Sequence, residues 1–426
     1  MHVRPRVVWS KLWQHISRLF EVIGTHPNLL IAMYAIDSLK QLGVKFLERT
    51  ELSHFQFQQV FMQPFERIMA KNPNLEIREL VLSVINNIIQ LRHANIMSGW
   101  KVIFSVYSAA AADRSETLNK ASFDAMAGLI DTHWELVHPN FVDIINCFAS
   151  FAKNVSQGET SLGAIEQILS LTGRLVEENV DVRCDEHGSL LTAAVAAGSA
   201  GAAAGAGTVA GSTGTENGTR AAAAAAAAKV KTAEFKTDGG GAVVSVGKFR
   251  FTDSVDHQRV WFPILTSLAN LVTDKRTGVR QAALSGLFKI LSEQGHSFSP
   301  SLWELIFKGV LFPIFDDVRH SEDGSESGRF IRDWLNNTCQ DALNMLVGLF
   351  ESPQRYSTLS FLLKDVMVLV GTCIVHPNKL LARKGVVCMQ RLLVDAGRLF
   401  PEKVWDSVCE KMVSFFFFFV GGVGGG

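Results

Sequence analysis

The chain is poor in the residues and spacings that enzymes depend on. Its 426 residues include only six cysteines, and none of them forms a C-x-x-C pair. No histidine cluster stands at zinc-ligand spacing, so a zinc site is not expected. There is no G-x-S-x-G elbow, no H-E-x-x-H and no G-x-G-x-x-G placed after a strand, which removes the commonest signatures of hydrolases, metalloproteases and dinucleotide binders. "GAVVSVGKF" at 241–249 imitates a phosphate loop, but Ala242 stands where the first glycine belongs. Phe249 likewise replaces the hydroxyl residue that would hold magnesium. Charge of one sign is missing too: 41 basic residues balance 41 acidic ones, which argues against a general nucleic-acid binder. Uninterrupted apolar runs fall short of a bilayer span. The N-terminus has no secretory h-region. Free buried thiols in a cytosolic protein are the expectation, with no cofactor and no metal.

What is abundant is helical apolar spacing. Tyr is scarce, at 3 against 29 Phe, while Leu, Ile and Val recur in stripes. From Ile77, apolar residues follow at Leu80, Val81, Val84, Ile85, Ile88 and Ile89, one broad face of an α-helix. Leu118 and Val279 open the same template, and Ile31 and Leu381 open looser versions. Three residues before four of these starts stands a polar residue able to cap a helix: Asn28, Asn74, Ser115 and Asn378. Proline precedes the three asparagines and keeps the incoming chain out of helix. At Val279 the cap position holds Arg276, a departure from the pattern.

A second helix follows each first one after a short turn. "SGWKVIF" at 98–104 and "SLWELIF" at 301–307 share one word, S-x-W-x-x-I-F. Ser98 and Ser301 are the expected caps, with Glu304 completing a capping box at the second. The starts at 31, 77 and 118 give a period in the low-to-mid forties, that of HEAT-type helical repeats. One helix pair cannot bury both faces, so the repeats must stack. The expected fold is all-α, a HEAT/armadillo-like α-solenoid built as a superhelix of antiparallel helix pairs. Arg78, Asp274 and Arg280 are expected to form a structural ladder between repeats. Exposed positions such as Glu79, Asn86, Asn87, Gln281 and Lys289 are the candidates for a partner-binding face.

Composition divides the chain into a helical block over 5–185 and a second over 249–414. Between them, 186–248 is Ala, Gly, Ser and Thr, too poor in large apolar groups to offset ordering entropy and hence read as a disordered linker. "RHSEDGSESG" at 319–328 reads as an exposed acidic loop, and the Phe-rich tail at 415–426 as disordered or artefactual.

Longer words carry a resemblance. "NPNLEIRELVLSVINNIIQLRHANIMSGWKVIFSVYSAAAAD" in the first block, and "VWFPILTSLANLVTDKRTGVRQAALSGLFKILSEQGHSFSPSLWELIFKGVLFPIFDDVRH" in the second, resemble the region downstream of the catalytic domain in large brefeldin A-inhibited Arf guanine-nucleotide exchange factors. "WLNNTCQDALNMLVGLF" and "LLARKGVVCMQRLLVDAGRLFPEKVWDSVCEKM" continue the match in order. The resemblance implies a regulatory scaffold that supports Arf activation and vesicle-mediated transport. It would be cytoplasmic and recruited peripherally to trans-Golgi or endosomal membranes. Implied partners are Arf-family small GTPases, other parts of the full-length factor and a second copy; nucleic acid is not among them. Nothing in the chain matches the exchange domain, so no catalytic residue carries over. The opening in mid-array reads as a fragment or truncated gene model. Two alternatives stand beside this reading: the family relative without an exchange domain, acting in Golgi-to-endosome traffic, and an unrelated HEAT adaptor for peptides.

Overall fold

The structure is a computed structural model; it describes residues 6–48, 57–177, 183–184, 190–191, 255–315 and 326–421. These residues are helical almost throughout. The first eight helices are α1 (Arg6–Gly24), α2 (Leu29–Leu47), α3 (Phe57–Lys71), α4 (Leu75–Arg92), α5 (Trp100–Ala111), α6 (Glu116–Val137), α7 (Phe141–Lys153) and α8 (Gly158–Glu177). A two-residue antiparallel pair follows, Arg183–Cys184 with Leu190–Leu191. The series resumes with α9 (Val255–Leu271), α10 (Thr277–Gln294) and α11 (Pro300–Ile306), the last running into a π-turn at Phe307–Leu311. It ends with α12 (Glu326–Asn337), α13 (Cys339–Gly348), α14 (Pro353–Leu359), α15 (Leu363–Ile374), α16 (Lys379–Arg391) and α17 (Glu402–Gly421).

The periodic stripes become the seam between two layers. In one layer α1, α3, α5, α7 and α9 pack in series. In the other, α2, α4, α6, α8, α10, α13 and α16 do the same. Ile77, Val81, Ile85 and Ile88 of α4 face inward, as do Val279, Ala283, Leu287 and Leu291 of α10. Each helix hides its stripe only because a neighbour lies on either side, which is the logic of a solenoid. At the first end of the series α2 has no second-layer neighbour before it among the described residues, and Ile31 is exposed.

The stack does not stop at the low-complexity segment. α9 packs on α7 and α10 on α8, as α7 packs on α5 and α8 on α6. The two blocks read from composition are therefore successive parts of one array among the described residues. The linker at 186–248, apart from Leu190–Leu191, lies outside the described residues, as does most of the acidic stretch at 319–328.

The tail differs from expectation. α17 continues through the phenylalanine run to Gly421, where the sequence reading ended order at 414. Phenylalanine costs a helix only a few tenths of a kcal/mol, about the same as other bulky residues. One stretch among the described residues, Pro353–Ile374, is apolar and long enough to cross a bilayer, but 56% of its most apolar 18-residue window is buried inside the array and it is broken into α14, a 3-10 turn and α15.

Candidate functional site

Two features are built at the turns and between the helices: a polar seam and an open cleft. The seam starts from a recurring local geometry. Two residues before the caps of five of the seven second-layer helices, a side chain accepts a hydrogen bond from the cap's backbone N–H. His26 does so for Asn28, Asn72 for Asn74, Asp113 for Ser115, Asp274 for Arg276 and His376 for Asn378. The caps then act on the first turn of helix. Asn28 accepts from Leu30 and Ile31, Asn74 from Glu76, Ser115 from Leu118, and Asn378 from Leu380 and Leu381.

From these turns the rungs reach one repeat across. Asn72 donates to Gly24 O at 2.9 Å. Arg78 donates to the carbonyls of Asn72 and Pro73 in its own turn, and its Nε lies 2.8 Å from Asp113 Oδ2 in the next. Asn154 donates to Ala111 O and Asp113 O. Arg276 then spans the break in sequence, donating to Ala152 O, Asn154 O and Ser161 Oγ, all at 2.8 Å. Arg280, wholly buried, donates to Asp274 O, Lys275 O and Thr338 Oγ1, pairs with Asp333 and lies over the Phe330 ring. Bonds to a charged donor in such a setting contribute about 1.5–3 kcal/mol each before the cost of burying the charge.

The expected ladder residues thus occupy one seam, with different divisions of labour. Arg78 and Arg280 hold the same position, four residues past their cap, and clasp the same pair of preceding carbonyls. Asp274 does not reach a neighbouring repeat through its carboxylate. It grips Arg276 within its own turn and so aims the guanidinium at α7 and α8. Burial alone would raise the Asp274 carboxyl, but the bonds and charge of Arg276, with the charge of Arg280, hold it below the usual range. Arg276 is the residue that sequence reasoning missed. It looked like a faulty cap, and indeed its side chain caps nothing; the signal was the aspartate two positions earlier.

Two expected caps are corrected. α5 begins at Trp100 with Gly99 as its cap residue, not Ser98. The buried Gln58 of α3 fastens the turn that leads into α5, accepting from the N–H groups of Met97 and Gly99 and donating to Asn95 O. α11 begins at Pro300, and Ser299 caps it by accepting from Leu302. Ser301 lies inside the helix, and no capping box with Glu304 forms. Proline is favoured in a first turn, which moved the start two residues earlier.

The cleft lies between α4 and α6. α4 lines it with Glu79, Ser83, Asn86, Asn87 and Gln90. α6 supplies small residues: Thr117, Ala121, Ala125, Gly128 and Thr132. Two adjoining hollows of about 470 and 230 Å3 share Asn86 and Gln90. Ala121 and Ala125 belong to the apolar template read from sequence, yet only larger members such as Met126 and Ile130 reach the seam and are fully buried. The alanines are too short to fill the space, and a trough results. At its far end α6 kinks at His133, whose ring stacks on His93 with centroids 4.2 Å apart. Burial and the neighbouring His93 hold His133 below the usual imidazole range.

Nothing in these features resembles an activated catalytic group. Burial pushes the Cys147, Cys339 and Cys388 thiols up to about 12, the opposite of a reactive cysteine. Among the described residues no group of three or more His, Cys, Asp or Glu side chains is arranged to hold a metal ion.

Comparison with known proteins agrees with the geometry. Residues 45–127, which include α4 and most of α6, match the model described as Mon2/Sec7/BIG1-like, HDS. Residues 261–359 match a GBF1-like tetratricopeptide repeat region, another helix-pair array. The chain is 33% identical over 427 residues to brefeldin A-inhibited guanine nucleotide-exchange protein 2 of Arabidopsis thaliana, covering 96% of itself and 22% of that protein. Its sequence is that of a BIG-type helical region. The human brefeldin A-inhibited guanine nucleotide-exchange protein 1 is 29% identical over 97% of this chain. Sec72 of Schizosaccharomyces pombe, an ADP-ribosylation factor guanine nucleotide-exchange factor, is 30% identical over 97%. The chain spans about a fifth of the length of these relatives.

Proposed function

We propose that this BIG-type array is a non-catalytic regulatory scaffold of a large Arf guanine-nucleotide exchange factor. It supports Arf activation, recruitment to trans-Golgi or endosomal membranes from the cytoplasm, and vesicle-mediated transport. Its partners in this reading are Arf-family GTPases, other parts of the factor and a second copy, and its membrane association runs through them. The observation that carries it is collinearity: some 96% of the chain matches one stretch of a named exchange protein. The continuous array adds support, because it offers long helical faces.

The test is nucleotide exchange on Arf. The purified chain alone is expected to leave GDP release at background. Added in trans to an isolated exchange domain of a relative, it is expected to change the rate at saturating concentration. Stimulation by the chain alone refutes the non-catalytic assignment; an unchanged rate in the mixture refutes the regulatory one.

A further inference from the structure

The α4–α6 trough has a chemistry of its own. Along α4, Glu79, Ser83, Asn86, Asn87 and Gln90 fall at helical spacing on one side, a span of roughly 16 Å at 1.5 Å per residue. That length matches about five residues of extended chain. The floor is small: a Cβ added at Gly128 would meet nothing within 4 Å. The α4 wall offers three carboxamides. Tyr107 donates to Asn86 Oδ1 at 2.6 Å, which fixes that amide with its N–H groups directed away from the tyrosine. Thr117 donates to Glu79 Oε1 at 3.2 Å and holds the carboxylate at the rim.

A row of amides, each able to donate and accept, suits a ligand with alternating N–H and C=O groups along its length. An extended peptide has them; a helix has already spent its main-chain groups internally. Neither hollow is lined by lysine or arginine, and Glu79 is the one carboxylate lining them. The occupant therefore brings positive charge to that end.

We propose that the trough is a docking site for an extended peptide segment, held along its main chain by Asn86, Asn87 and Gln90 and by Glu79 through a basic side chain. The proposal rests on the cleft itself and is independent of the Arf reading; peptide binding with no effect on exchange leaves it standing.

The probe is a phage-displayed library of random twelve-residue linear peptides, panned against the full chain. Enriched peptides are expected to share a Lys or Arg and to lose about tenfold or more in affinity when Asn87→Ala and Gln90→Ala are combined, since each neutral hydrogen bond is worth a few-fold. Glu79→Gln should weaken them and raise the tolerance for an uncharged residue. Gly128→Leu is the decisive variant. It fills open space and puts a better helix former into α6, so thermal stability is expected to hold or rise while binding is lost. N-methylation of alternate peptide amides should also abolish binding. Failure to enrich any peptide, binding that survives Gly128→Leu, or indifference to N-methylation overturns the proposal.

Discussion

The chain contains one seven-residue pattern twice, and the two copies are built differently. In the first half, S-x-W-x-x-I-F enters α5 through a glycine, and Gln58 from the neighbouring α3 ties down the open N–H groups. In the second half, Ser299 caps α11 locally, and the Trp303 indole donates to Gly295 O. The arginines differ in the same sense. Arg78 is partly exposed against Asp113, whereas Arg280 is wholly enclosed by its partners. Equal sequence words fix where a side chain sits in its helix, while the number of neighbours decides what that position is worth.

The largest effect is expected at Arg280. Arg280→Ala strands two carbonyls, a threonine and Asp333, and should cost about 3 kcal/mol in denaturant unfolding. Arg78→Ala removes the same local clasp at a wetter position and should cost about 1 kcal/mol. Equal costs would erase the contrast between the halves.

Two replacements test how each half fastens its copy of the repeated word. Gln58→Ala leaves buried backbone groups of the first half without a partner and should cost about 2 kcal/mol. In the second half, Ser299→Ala should cost about 1 kcal/mol and Ser301→Ala much less. Finding the larger effect at Ser301 instead would restore the cap expected from sequence there.

The smallest effect concerns pH and only the first half. His133 is held below its ordinary value of 6.5, so the unfolded chain binds the proton first. Its contribution to stability is full above about pH 6.5 and is lost as pH falls below it. The melting temperature should decline between about pH 7.5 and 5.5, and His133→Gln should flatten that slope. An unaltered slope removes the histidine pair from the account.

Much of the fold was legible because large apolar residues at +3, +4, +7 and +8 have one place to go. Asn28, Asn74 and Asn378 were readable for a related reason: their bonds are local. What the sequence concealed was long-range or a matter of size. Gln58 and Arg276 serve partners 37 to 124 residues away, a distance no window of sequence contains. The alanines of α6 count as apolar in any periodic template, but their small volume opens a cleft where a leucine would have closed it. Composition marked two blocks because it reports on the intervening sequence, not on what the flanking helices pack against.

Continuity across that stretch is the central claim, and cutting the stretch tests it. A specific protease site introduced between residues 192 and 254, then cleaved, leaves two chains joined, among the described residues, by the α7–α9 and α8–α10 contacts, by the packing of Arg183–Cys184 on α9 and by Arg276. The account predicts that the nicked protein elutes as one particle and melts in a single transition, and that Arg276→Ala loosens it. Separation of the two pieces under native conditions, or two independent melting transitions, would contradict it.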